Sequence, residues 1–391
     1  KLLGDDPAFP GKDFIDRNII QSGTRAGHLY SIPSYRVALA QRNIFIRQDW
    51  LTRLGIALPT NIQQFHDALV AFRDRDPGGV GANRVIPYSQ GSDARWGLAD
   101  LIHNYMDPNM SDRDRWVGDL GGRNVYKAGY KEGVRVMNQW YNERLIYQDF
   151  PLMTVADDGN NQLKSGVAGA FGANWDLPYR TDYNINIELA RNVPGAEFVP
   201  VDLNLNNKEI MDKTGLQIFI PAFSKNPTGA LQYLNWLAIP ENYQFLQRGQ
   251  LNVNHWIVDG VPNIQPVAAG HPWFQNSSQN IDMTMPMNGV EMGSQELNSR
   301  VLALSYGSVP AEKIVTAYAY ATKNARAPVV TQYTTTVNQY SQVLADKADA
   351  LIAQAITAAP ANFDRIWDAG IADFMASGGQ EVYNERASLW R

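Results

Sequence analysis

What most constrains this chain is a change in the period of its hydrophobic pattern. Over the first two-thirds, short apolar runs of strand type alternate with stretches of helical period. From Pro310 almost to the end, only the helical period remains. Asn43-Ile44-Phe45-Ile46-Arg47 is a continuous β-branched and aromatic run, residues 166–172 are a small-residue run, and 197–201 and 216–220 read as further strands. Asp49 is placed to cap a short helix that Gly55 ends. Thr60 and Gln63 stand at capping-box spacing before a helix carrying Phe65, Leu69 and Phe72 on one face. Residues 130–145 predict a helix burying Val134, Met137, Tyr141 and Leu145, and another over 227–237 is interrupted at Pro240. Residues 241–307 read as loop-heavy, and the tail as helices over 311–326, 329–357, 362–376 and 380–388. Strands alternating with helices predict an α/β chain with a helical C-terminal region.

At 391 residues the chain is long enough for two domains of about 150 residues. Hydrophobic residues at 45% exclude a disordered chain. With 34 Lys and Arg against 39 Asp and Glu, the net charge of −5 argues against nucleic acid, which needs clustered cations. Zero cysteines exclude disulfides, thiolate metal sites and a cysteine nucleophile in this chain. No run of about 18 uncharged apolar residues is present to span a membrane. The opening Lys1-Leu2-Leu3-Gly4-Asp5-Asp6-Pro7 lacks the apolar stretch of a signal peptide and does not read as a natural start.

Catalytic patterns are absent. The five histidines, His28, His66, His103, His255 and His271, have no metal-ligand spacing, and no nucleophile elbow, dinucleotide fingerprint or phosphate loop occurs. The carboxylate pairs Asp157-Asp158 and Asp74/Asp76 lie in charge-mixed sequence and read as solvated surface. Attention therefore falls on the 10 Trp and 18 Tyr, which need either polar partners in a core or a ligand to meet. Trp140, Trp236 and Trp367 stand at core spacing on helices. Trp175 differs, following a Gly/Ala strand between Asn174 and Asp176. An indole beside short amide and carboxylate side chains suits a sugar ring, whose C–H face stacks while its hydroxyls bond the neighbours. Trp256, ahead of the turn Asp259-Gly260, has a weaker form of that context.

Several segments in order resemble family 1 extracellular solute-binding proteins of ABC importers, most nearly the alginate- and oligosaccharide-binding receptors. They are His28-Leu29-Tyr30-Ser31-Ile32-Pro33, then Arg47-Gln48-Asp49-Trp50-Leu51-Thr52-Arg53-Leu54, then Ala71-Phe72-Arg73-Asp74-Arg75-Asp76-Pro77. Gln139-Trp140-Tyr141-Asn142-Glu143-Arg144-Leu145-Ile146 and Ser224-Lys225-Asn226-Pro227 with the helix to Trp236 continue the order. The resemblance runs from about residue 27 to residue 250. It implies a two-lobe, type II periplasmic-binding-protein fold with a hinge and an interlobe cleft. Residues 1–36 and 217–307 would form a partial N-terminal lobe and 37–216 the C-terminal lobe, with 308–391 a helical segment completing both. Such relatives carry about a hundred further residues, the size of a small domain, before the segment matching Lys1, so the front of the first lobe is expected to be missing.

The same resemblance implies capture of an oligosaccharide without chemical change, with an acidic, alginate-like glycan as one option. ABC permease subunits would be the partners, and the receptor a monomer outside the membrane, periplasmic or extracellular, with lipoprotein anchoring a further option. The alternative is a carbohydrate-active lyase or hydrolase, which needs an acid/base pair that no motif here supports. Candidate ligand-binding residues are Trp175, Asn174, Asp176, Tyr35, Ser34, Trp256, Arg36 and Trp96. Arg95 and Arg180 are further basic side chains for a carboxylated sugar. The calcium loop usual in the family is degenerate at residues 76–85. Only Asp76 remains, with Gly78, Val80, Arg84 and Val85 at the other ligand positions, so no calcium is expected there and Arg84 would supply positive charge instead.

Overall fold

The alternation of strand and helix builds two units, and the chain passes between them three times. In the computed structural model the described residues are 21–25, 27–81, 83–90, 94–153, 156–264, 285, 287–307, 309–329 and 334–390. The opening segment at Lys1 and the side chains of Arg95 and Asp157 lie outside the described residues. The first unit takes the chain up to Ala40 and again Met211–Thr316; the second takes Gln41–Ile210 and Ala317–Arg391.

The chain enters the first unit's sheet as β1 (Ile32–Arg36) and crosses to the second unit at Gln41. There β2 (Arg42–Arg47) is followed by α1 (Gln48–Leu54), α2 (Ile62–Arg75), β3 (Ile86–Ser89), α3 (Tyr130–Asn142), β4 (Ala168–Asn174) and β5 (Phe198–Val201). Back in the first unit come β6 (Thr214–Ile218), α4 (Pro227–Leu237), the hairpin β7 (His255–Val258) and β8 (Val261–Ile264), and β9 (Met287–Asn288). Helix α5 (Ala311–Thr322) carries the chain through the third crossing, and α6 (Thr335–Thr357), α7 (Phe363–Phe374) and α8 (Gln380–Leu389) complete the second unit.

In the second unit the sheet order is β3–β4–β2–β5. β2 runs antiparallel to β4 and β5, while β3 is parallel to β4. All six residues of β2 are buried, which explains why Ile44-Phe45-Ile46 at its centre is continuously apolar rather than alternating. Trp50 of α1 meets Phe72 of α2 edge to face at 5.1 Å, and both rings press on β4. A Cβ at Gly169 would stand 2.5 Å from Phe72 and 2.8 Å from Trp50, and one at Gly172 only 2.2 Å from the Gly97 carbonyl oxygen. The small residues of β4 are thus demanded by this close packing. The tail adds a second anchor: the Asn138 amide on α3 donates to the carbonyls of Ala355, Ile356 and Ala358 at the end of α6. Gly378, at φ 118°, turns the chain between α7 and α8.

The first unit holds a three-stranded sheet, β9–β1–β6, with β1 parallel to β9 and antiparallel to β6. Tyr35, Val37, Tyr243 and Met287 pack together beneath it.

Four local expectations are corrected. Asp49 does not cap α1; it lies in the first turn, where its carboxylate takes the buried Arg47 guanidinium at 2.7 and 2.8 Å. The cap of α2 is Asn61, accepting from the Gln64 N–H at 2.9 Å, one residue beyond the Thr60 expected. Residues 241–307 contain two helices, Pro240–Arg248 and Gln295–Ser305, the latter capped by Ser294. Trp236 is 45% exposed rather than core, because α4 buries only Leu237 and Trp236 stacks on Tyr233. Trp140 and Trp367 are buried as expected.

Candidate functional site

β3, β4 and β5 run in one direction, so their carboxyl ends gather at one edge of the second unit's sheet, beside the start of β2. Open α/β sheets hold ligands outside the carboxyl ends of their strands. Four of the eight candidate residues collect at this end. Asn174 closes β4 opposite Arg42, and Trp175 and Asp176 follow it. Trp96 lies under the Arg42 guanidinium, 4.8 Å from ring centroid to Cζ.

Trp175 is only 6% exposed and its backbone is fixed at both ends. Its N–H donates to the Gln41 carbonyl at 3.2 Å, and its carbonyl accepts from Asn43 Nδ2 at 3.0 Å. Its ring stands edge-on to Tyr318 at 5.4 Å. Asp176 is buried and starts the short turn Leu177–Tyr179, where its carbonyl accepts from the Tyr179 N–H. Asn174 and Trp96 are half-buried.

Beneath these groups runs a buried charge network. Arg42 donates from Nε to Asp100 at 2.9 Å with both side chains buried, while its Nη2 is buried without a hydrogen-bond partner. Burial, chiefly, and the nearby Arg42 cation push the His103 imidazole down to about 3, against a weaker opposing pull from Asp100. The ring is therefore neutral at pH 7 and meets Asn124 Nδ2 at 3.1 Å. Burial also lowers the Lys208 ammonium, which donates to the Tyr320 carbonyl on α5.

The other four candidates belong to the first unit. Ser34 is fully buried; its Oγ accepts from the Leu216 N–H at 2.7 Å, beside the register shift between Pro33 and Tyr35. Tyr35 packs into the small core under β1. Arg36 donates its backbone N–H to the Lys213 carbonyl at 2.7 Å, and its Nε is buried without a hydrogen-bond partner. Trp256 is half-buried on β7 opposite Asn263. Arg180 pairs with Asp182 at 2.7 Å and lies over the Tyr183 ring. Sequence reasoning missed Arg42, Asn43 and Tyr318. Arg42 and Asn43 stand at the start of a strand that was read correctly, but their partners lie far away in sequence, and nothing marks Tyr318 locally.

The loop after α2 closes on its own acidic residue. Asp76 adopts φ 41°, and its two carboxylate oxygens accept the N–H groups of Val80 at 3.0 Å and Gly81 at 2.8 Å. Arg84 is exposed, its N–H donating to the Gly81 carbonyl. Calcium binding needs six to eight oxygens, several from carboxylates. Gly78, Val80, Arg84 and Val85 offer no side-chain carboxylate, so these residues do not fit the ion. No group of three or more His, Asp or Glu able to hold a metal occurs among the described residues.

A family model for bacterial extracellular solute-binding proteins matches residues 2–244, more than half of the chain. The chain belongs to this family. Lipoprotein LipO of Bacillus subtilis is 26% identical over 161 residues, 39% of this chain and 30% of LipO. The fructooligosaccharide ABC transporter substrate-binding protein FusA of Streptococcus pneumoniae is 27% identical over 177 residues, 42% of this chain and 32% of FusA. The matched stretch spans about a third of the length of these curated relatives. Among solved structures, the alginate-binding protein AlgQ2 without calcium ion superposes with a TM-score of 0.69 at 18% identity, over 97% of this chain and 79% of that one. A human-milk-oligosaccharide (HMO)-binding, ABC-transporter-associated protein from Bifidobacterium longum infantis gives 0.66 at 16% identity, over 99% and 82%. These likenesses show the fold: the chain shares the α/β architecture of both structures.

Proposed function

We propose that the protein captures an oligosaccharide, leaves it chemically unchanged, and presents it to the membrane subunits of an ABC importer. The observation that carries this reading is the grouping of Trp175, Asn174, Asp176 and Trp96 at the carboxyl end of the second unit's sheet. The half-buried Trp96 and Asn174 offer the accessible ring and amide for stacking and directional hydrogen bonds to a sugar, with the buried Trp175 and Asp176 directly behind them. Family membership supports the transport role, and FusA, AlgQ2 and the Bifidobacterium protein are named for fructooligosaccharide, alginate and milk-oligosaccharide binding. A neutral sugar fits the charges better than a carboxylated one, since Asp100 matches Arg42 and Asp182 matches Arg180. Work outside the membrane agrees with the family and with the lipoprotein relative. No helix among the described residues is long and apolar enough to cross a membrane. We further infer that the loop at Asp76 works without calcium, a reading supported by the two backbone N–H groups on its carboxylate.

The test is calorimetric titration with kestose, milk oligosaccharides and alginate oligomers, run alongside an assay for new reducing ends. Saturable binding of a neutral glycan without turnover is expected. Cleavage of any bound glycan would overturn the receptor reading.

A further inference from the structure

Trp175 is fastened to the places where the chain changes units. Its N–H is held by Gln41, the first residue past one crossing. Its carbonyl is held by Asn43, whose same Nδ2 also donates to the carbonyl of Ala317 at 2.8 Å. Ala317 is the first residue past the third crossing, inside α5. The next residue, Tyr318, sets its ring against the Trp175 indole. Asn43 is 4% exposed, so its amide gives up water to bond both carbonyls, that of Ala317 in addition to the helical N–H it already takes. One short side chain thereby joins the candidate sugar platform, the first crossing strand and the last crossing helix.

We propose that Asn43 and Tyr318 are positioning residues that couple ligand contact at Trp175 to helix α5. The proposal rests on the sugar-binding reading of Trp175. A shift of the buried indole as a sugar seats against this end of the sheet pulls on the Asn43 amide and the Tyr318 ring together, and both lead into the same turn of α5. The two sites share a physical element whose state both can bias, which is what coupling requires.

The experiment uses the whole chain labelled with 5-fluorotryptophan, the fluorine resonance of Trp175 being assigned by its loss in Trp175→Phe. Kestose and alginate oligomers are the probes, and amide hydrogen exchange at Ala321, whose N–H faces the Ala317 carbonyl in α5, is the second readout. In the natural sequence, sugar moves the Trp175 resonance and slows exchange at Ala321 by at least about fivefold, the lower end of ordinary coupling. In Asn43→Leu, sugar still moves the resonance but the slowing falls below about twofold. Tyr318→Ala, which keeps both carbonyl bonds, weakens the slowing, and Tyr318→Phe retains it. Full slowing in Asn43→Leu would overturn the proposal. If no probe moves the Trp175 resonance, the sugar-binding reading fails on its own, and the coupling is decided in the free protein. There Asn43→Leu must shift the Trp175 resonance and speed exchange at Ala321, and no change in either would refute it.

Discussion

Replacing Asp76 separates a calcium loop from a loop that closes on itself. Two charge-assisted bonds are lost in Asp76→Ala: one partly buried to the Val80 N–H and one exposed to the Gly81 N–H. At about 1.5 and 1 kcal/mol, the first discounted for partial exposure and the second for full exposure, the cost is about 2.5 kcal/mol. Asp76→Gly loses the same bonds but relieves the φ of 41°, which offsets about 1 kcal/mol. The glycine variant is therefore expected to lose only about 1.5 kcal/mol. For a unit of this size each kcal/mol moves Tm by about 2–4 °C, so alanine lowers it by about 5–10 °C and glycine by roughly half as much. A bound calcium at a hundred times its Kd would contribute about 2.7 kcal/mol, an effect of similar size. The assay is thermal unfolding by circular dichroism with EDTA and with millimolar calcium. For the natural chain, and for each variant at its own lower midpoint, the EDTA and calcium curves are expected to coincide within about 1 °C. A calcium-dependent rise of several degrees in the natural chain, abolished in Asp76→Ala, would refute the reasoning.

Two further outcomes follow from buried groups. His103 is neutral in the folded protein, titrating at about 3, whereas the unfolded imidazole titrates near 6.5. Between those values the unfolded chain holds more protons, so stability is full above pH 6.5 and falls as pH drops, by up to about 1.4 kcal/mol per pH unit. Urea midpoints measured from pH 4 to 8 show this slope, and His103→Gln flattens it; a slope unchanged in the variant would assign it to other groups. Asn138→Leu removes the donor from the Ala355 and Ile356 carbonyls, while Ala358 keeps Asn142, so about 2 kcal/mol is lost. Equilibrium denaturation checks this, and a loss below about 0.5 kcal/mol would mean that water satisfies those carbonyls.

Local pattern carried most of the fold. β2 was legible because both its faces are buried, leaving Ile44-Phe45-Ile46 as an apolar run between its polar ends. The break at Gly378-Gly379 was legible because the positive φ at Gly378 favours glycine. The α2 cap slipped by one because Thr60 and Asn61 can both accept at a helix start, and the choice rests on which backbone is extended. Helix 295–305 was hidden because the residues it buries, Asn298, Ser299, Val301 and Ala303, trace no apolar stripe. The candidate site was legible only at Trp175 and its sequence neighbours. Arg42 finds Asp100 at a separation of 58 residues, and Asn43 finds Ala317 at 274, so their roles exist only after the sheet and the third crossing have formed.

The central claim is that the aromatic end of the second unit's sheet receives a sugar. Isothermal titration of kestose into the natural chain and into Trp175→Leu tests it most directly. Loss of the indole that backs this end of the sheet predicts an affinity reduced by about 1–3 kcal/mol, or roughly 5- to 150-fold, with unfolding midpoints that show the variant folded. Equal affinity in a folded Trp175→Leu variant, or no binding of kestose or any other neutral oligosaccharide to the natural chain, would contradict it.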